Sequence, residues 1–213
     1  MMMRILLTFL MMLPLCSVAQ TKYCTSWQDF LDSQWKETEG RVELKSSSKE
    51  DALAMEVKAE KKRTANLLRK AACVIVYEDS LYLNLRPFNT FGDIYVRAWR
   101  IGSDKLLFAR QDVAPTGFSV TFGGNVSPLS SKSFRTLSRL ENLVCYLAAW
   151  DPQREELRMA RVTEAVVKQL LTNHPDQLSH YQSVERKKRE NADVIISVLR
   201  AAGVISFLPA LLQ

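Results

Sequence analysis

Residues 73–111 read CVIVYEDSLYLNLRPFNTFGDIYVRAWRIGSDKLLFARQ, and the period of this stretch decides the fold. Cys73 to Tyr77 is a short apolar run, Glu78-Asp79-Ser80 is a turn, and Leu81, Leu83 and Leu85 then alternate with Tyr82, Asn84 and Arg86. A period of two with one apolar side is the pattern of a half-buried strand, so the segment predicts a β-hairpin. Asp93 to Ile101 alternates again, Gly102-Ser103-Asp104 supplies a turn, and Lys105 to Gln111 returns. Four strands in a meander follow.

Downstream, Asp112 to Asn142 holds Pro115, Gly117, Gly123, Gly124, Pro128 and a serine-rich run. It reads as a long connection with one candidate strand at Phe118 to Phe122, and such connections are often where partners bind. Leu143 to Trp150 and Leu157 to Val162 form a further strand pair around Asp151-Pro152. Three helices then follow: one capped by Thr163 with Val166, Val167, Leu170 and Leu171 on a face, one opened by Pro175, and one over about Val184 to Ala202 that Gly203 stops.

Upstream, Ser26 with Asp29 at N3 marks a short helix whose Trp27, Phe30, Leu31 and Trp35 share a face. That face is expected to pack on a sheet; an aromatic platform for stacking sugars is the alternative. Arg41 to Lys45 is a strand candidate. Lys49 to Ala72 is rich in helix formers and is read as helix, most clearly from Lys61 to Ala71, although Leu53, Met55 and Val57 alternate as a strand would.

Met1 to Ala19 has another origin. Arg4 precedes an apolar run from Ile5 to Leu13 and a small-residue site at Ser17-Val18-Ala19, the layout of a secretory leader cut between Ala19 and Gln20. The run is too short for a transmembrane anchor. Lipid attachment at Cys16 is the competing reading, disfavoured by the bulky Leu15 before it. The expected organisation is a leader over 1–19 and a single domain over 20–213, in the periplasm, outside the cell or at the outer membrane.

The full chain of 213 residues, with 47% hydrophobic and 24% charged residues, excludes disorder, polytopic membrane proteins and large multidomain enzymes. Its net charge of +6 falls to +5 once Arg4 is removed, and its four cysteines fall to three: Cys24, Cys73 and Cys145. Three cysteines allow at most one intramolecular disulfide. Cys73 and Cys145, each in or beside an apolar strand, are the candidate pair; the alternative is that both are small buried hydrophobes.

No catalytic set converges. The two histidines, His174 and His180, lack the i, i+4 spacing that presents two imidazoles to one metal. There is no G-x-S-x-G elbow, Walker loop or G-x-G-x-x-G, so no cofactor is expected. Cys145 as a nucleophile would lie desolvated in an apolar strand, and carboxylates able to cleave a glycan cannot be paired from spacing alone. Two basic runs, Lys58 to Lys70 and Arg186 to Arg189, could hold an anionic lipid or nucleic acid, yet both are interleaved with or flanked by glutamates. Nucleic acid is not expected as a partner.

The run Val76-Tyr77-Glu78-Asp79-Ser80-Leu81-Tyr82-Leu83-Asn84 resembles, with Phe91-Gly92-Asp93-Ile94-Tyr95-Val96-Arg97-Ala98, a family of uncharacterised exported proteins of Bacteroidetes, a domain of unknown function. Val162-Thr163-Glu164 through Leu170-Leu171, then His174-Pro175-Asp176-Gln177-Leu178 and the charged helix to Leu199, are similar too. The resemblance runs from about Ala65 onward and departs at Asp112 to Asn142, which is serine-rich and charged where relatives are richer in Gly and Ala. It implies a compartment and a fold, with no activity. It further implies that Asp79-Ser80-Leu81 is a short acceptor for O-glycosylation at Ser80, against an ordinary Asp-Ser turn.

The fold expected is α+β: an antiparallel sheet of five to seven strands in meander hairpins, with N-terminal helices and three C-terminal helices packed on it. The function expected is that of an exported, non-enzymatic binding or structural module with an unknown envelope partner or ligand. A glycan or peptide hydrolase using carboxylates is one alternative, and a binder of anionic lipid or nucleic acid is another.

Overall fold

The computed structural model describes residues 21–47, 53–88, 93–111 and 143–206. The leader, Cys16, the Ala19 to Gln20 junction and the Phe118 to Phe122 strand lie outside these residues. The described chain corrects the expected sheet of five to seven strands: eleven strands join one antiparallel sheet, with a few helices. The added strands are short or sit where helix propensity misleads. They are β1 (Lys22–Cys24), β2 (Lys36–Glu37), β4 (Ala54–Ala59) and β11 (Ile205–Ser206); β3 (Val42–Ser46), where the sequence already placed a strand at Arg41 to Lys45, is β4's hairpin partner.

β4 is the clearest misreading. Ala, Met, Glu and Lys favour helix, but Ala54 and Val57 are buried while Glu56 and Lys58 are exposed, and the strand pairs with both β3 and β7 (Tyr95–Ile101). Two ladders of backbone hydrogen bonds override a propensity of a few tenths of a kcal/mol per residue. The helix the sequence predicts here is confined to α2 (Lys62–Lys70).

The meander itself is as read. β5 (Val74–Tyr77) turns into β6 (Ser80–Asn84), β6 pairs with β7, β7 with β8 (Lys105–Gln111), β8 with β9 (Leu143–Asp151), and β9 with β10 (Glu156–Arg161). β1 extends the sheet beyond β5. β7 is the hub. Tyr95 and Val96 pair with β6 and with β4, while Arg100 and Ile101 pair with β8 and with β11, so both edges of this strand are occupied along most of its length.

Alternation along the strands sorts their side chains to two faces. Val74, Leu83, Val96, Phe108 and Tyr146 meet on one face in a single cluster with α1 (Trp27–Leu31) and Cys24. β10 touches the 3₁₀ turn Arg86–Phe88 that follows β6, although β7, β8 and β9 lie between β6 and β10 in the sheet, so the sheet curls. On the other face, Trp99, Leu107 and Cys145 pack under α3 (Glu164–Leu170), α4 (Pro175–Ser183) and α5 (Ala192–Ala201). Ile75 and Tyr95 pack there under α2, β3 and β4.

The C-terminal end of α2 is tied to the sheet by polar side chains. Tyr95 Oη donates to Leu68 O at 2.6 Å, and Asn84 Nδ2 donates to Ala72 O at 2.8 Å and Arg69 O at 3.3 Å. Leu68 O and Arg69 O belong to the last turn, where no helical N–H reaches them, and Ala72 O lies just beyond the C-cap Ala71. At the far end of the chain Gly203, with φ +68°, closes α5: its N–H donates to Arg200 O and that of Val204 to Leu199 O, as a Schellman stop requires.

The β5–β6 turn has both central residues left-handed, Glu78 at φ +46° and Asp79 at φ +56°, as a two-residue type I′ hairpin demands. Neither residue is well suited to it. Changing the pair to Asn-Gly (E78N/D79G) is expected to stabilise the fold by about 1 kcal/mol, read as a higher urea midpoint with an unchanged m-value.

Candidate functional site

The inner end of the curled sheet is built around α1. Ser26 Oγ accepts from Asp29 N at 2.9 Å, and Asp29 Oδ2 accepts from Ser26 N at 3.2 Å, the reciprocal capping box read from the sequence. Thr25 Oγ1 also donates to Asp29 at 2.8 Å. Hydrogen bonds from Thr25 and Ser26, with the Lys36 ammonium 3.7 Å away, hold the Asp29 carboxyl below its ordinary value. The cap fixes the helix so that its aromatic side faces the sheet.

Trp27 and Phe30 are buried and Trp35 is half-buried. The Phe30 ring lies 5.1 Å from Trp27 and meets Trp35 edge-on at 6.1 Å. Arg100, on the inward side of β7, places its guanidinium carbon 4.9 Å from the Phe30 centroid, a cation–π arrangement, while its Nη2 donates to Ser103 O at 2.7 Å. The aromatic face is therefore turned into the core, as a helix packed on a sheet requires, and offers no open platform for a sugar.

Both indole N–H groups, Trp27 Nε1 and Trp35 Nε1, are buried and find no hydrogen-bond partner among the described residues. A buried donor left unmade costs about 1–3 kcal/mol, and buried polar atoms in folded proteins nearly always find an acceptor. Both donors sit on rings that pack against Phe30. The sequence marks the tryptophans through their helical spacing, but nothing in it marks Arg100, which reads only as the polar position of a strand.

The thiols divide between faces. Cys24 and Cys73 both pack on the α1 cluster, whereas Cys145 packs among the helices on the opposite face, its Sγ 3.9 Å from Ala192 O. Cys73 and Cys145 are thus not brought together, and all three are free thiols. Burial pushes each of them up to about 12, so none is a ready thiolate at neutral pH. Ser80 is the first residue of β6, opposite Tyr77 and half-buried beside the exposed hairpin tip.

Five acidic side chains among the described residues share one direction of shift. The carboxyl pKa values of Asp29, Glu39, Glu43, Glu164 and Glu185 are all held below the ordinary range, led by hydrogen bonds from Thr25, Lys61, Lys45, Lys168 and Lys187 respectively. A general acid needs the opposite shift. His174 stands at the N-cap of α4 and His180 is exposed within it. Among the described residues no three His, Cys, Asp or Glu side chains converge on a metal position.

The two basic runs are engaged locally. Lys61 pairs with Glu39 at 2.9 Å, and Arg69 donates to Val57 O at 3.0 Å. In the second run Lys187 and Lys188 both pair with Glu185, while Arg189 bonds Val184 O at 2.8 Å, Glu164 at 3.0 Å and Gln182 O. Arg189 is thus a staple joining α3, α4 and the segment before α5. No helix among the described residues is long and apolar enough to cross a membrane, which leaves membrane crossing by strands unaddressed.

No curated protein and no solved structure matches the chain significantly. The model of a family of unknown function, DUF6563, matches residues 22–205, from the first residue of β1 to the first of β11. The chain belongs to that family.

Proposed function

We propose that the protein is an exported, non-enzymatic binding module of the cell envelope. In this reading it holds a small apolar molecule bearing hydrogen-bond acceptors at the half-buried edge of the α1 cluster, beside Trp35. The observation that supports it is the pair of buried indole N–H groups of Trp27 and Trp35, unpartnered among the described residues, on rings that both pack against Phe30. Acceptors on a ligand would satisfy these donors, and the Arg100 guanidinium over the same ring favours a ligand that is anionic or strongly polarised. Apolar surface from Leu31, Phe88 and Ile94 packs on the same cluster and suits the remainder of such a molecule.

Export rests on the leader read over residues 1–19, and the DUF6563 match beginning at residue 22 is compatible with a mature chain starting at Gln20. The exposed β5–β6 tip suits the O-glycosylation suggested for Ser80.

Native mass spectrometry of the protein purified from its own envelope tests the binding reading. The expected spectrum shows a small-molecule adduct that is lost in Trp27→Phe and Trp35→Phe, variants that keep the ring but remove the donor. A bare protein from mild preparations, or an adduct indifferent to both substitutions, sinks the reading. N-terminal sequencing of the same material is expected to begin at Gln20.

A further inference from the structure

The structure assigns a second pairing of thiols: we propose that Cys24 and Cys73 are the site of a disulfide that joins β1 to β5 beside the aromatic cluster. The inference is independent of the ligand reading above. Cys24 is registered opposite Val74, yet its carbonyl accepts the Cys73 N–H at 2.9 Å. One residue of β1 therefore faces two consecutive residues at the start of β5, the two-against-one arrangement of a β-bulge. Both side chains consequently pack on one cluster, and Cys73 Sγ lies 3.4 Å from Cys24 O.

The backbone hydrogen bond also bounds the separation. With ordinary bond lengths on either side of it, the two Cα atoms can be no more than about 6.8 Å apart, and disulfides span roughly 4.4–6.8 Å. Neither thiol would give up a strong partner, since Cys24 Sγ reaches only Gln34 O at 3.7 Å. Cys145 cannot compete, because the sheet stands between it and the other two.

The oxidant is a low-molecular-weight disulfide. Cys73, the more exposed thiol, loses its proton and attacks one sulfur of that molecule, breaking its S–S bond and releasing one thiolate. Cys24, deprotonated in turn, attacks Cys73 Sγ, forms the protein disulfide and releases the second thiolate. Two protein thiols have then lost two electrons and two protons, and the oxidant has become two thiols. Because burial holds both thiols near 12, the folded, reduced protein should oxidise about tenfold more slowly for each unit by which the pH lies below that value.

The experiment incubates the mature chain from Gln20, refolded from urea, with mixed oxidised and reduced glutathione, then digests it without reduction and maps the links by mass spectrometry. The expected link joins the peptide of Cys24 to that of Cys73, with Cys145 alkylated only after unfolding. Oxidation is expected to raise the thermal midpoint by about 5–10 °C, since the link closes a loop of some fifty residues. That rise should vanish in Cys73→Ser and persist in Cys145→Ser. A link involving Cys145, or three alkylated cysteines after oxidative refolding, overturns the assignment.

Discussion

Phe108→Ala is expected to destabilise the protein by about 3–5 kcal/mol. Phe108 is fully buried at the middle of β8, between the β7 and β9 ladders, where the backbone has no freedom to collapse into the space left behind. Its ring stacks on Tyr146, with centroids 5.5 Å apart and planes 23° from parallel, and it joins the α1 cluster on the inner face of the curl. Removing it deletes a large buried apolar surface and leaves a cavity bordered by side chains that ladders on both sides hold in place. Phe108→Leu, which keeps most of the volume, is expected to lose well under half as much. Urea unfolding of the two variants measures the difference; equal losses would mean that the site relaxes freely and that the curl is not rigid.

Asn84→Asp is expected to cost about 3 kcal/mol at neutral pH, and most of that cost is expected to disappear in acid. Asn84 is buried and donates its amide to the carbonyls of Ala72 and Arg69. One oxygen of a carboxylate there could keep the Arg86 N–H, which Asn84 Oδ1 accepts at 2.9 Å, but the other would face two carbonyl oxygens in a desolvated place, so the folded-state pKa of the new group lies above its unfolded value of about 3.9. The folded chain then binds the proton more tightly than the unfolded one. The penalty is absent below about pH 4, grows as pH rises from there to the folded pKa, and is constant beyond it. Unfolding measured at pH 4 and at pH 7 tests this, and a deficit of equal size at both would show that shape, rather than charge, decides the position. The neighbouring Tyr95 hydroxyl, whose proton burial holds firmly, is satisfied by Leu68 O and does not titrate in this range.

The legible parts of the fold are those in which side chain and backbone give the same instruction. Leu81, Leu83 and Leu85 alternate, the turn before them is polar, and β6 is where the sequence puts it. Ser26 and Asp29 form the capping box their spacing announces, and Gly203 stops α5 in the conformation only glycine takes easily. The illegible parts depend on distant partners. Ala54 to Ala59 is composed for a helix and becomes a strand because β3 and β7 receive its backbone, and Ile205–Ser206 is a strand only because β7 lies alongside. The candidate site was half legible. Spacing found Trp27, Phe30 and Trp35, but that Cys24 rather than Cys145 neighbours Cys73 follows from which face of the sheet each one meets, and a pairing register cannot be read from one strand alone.

The position of β7 at the centre of the sheet has a consequence for how the protein is made. Its partners include residues 54–55, 81–84, 105–108 and 205–206, so the last ladder closes across more than a hundred residues of chain. A chain emerging from the ribosome can assemble the meander early, but Arg100 and Ile101 keep an open edge until residue 206 has been synthesised. Closing loops of that length is slow, and an open apolar edge invites pairing with other chains meanwhile. The nascent protein should therefore depend on a holding chaperone until synthesis has passed β11, and its hub strand should become the part of the backbone slowest to exchange its amide hydrogens only once that last short strand has docked.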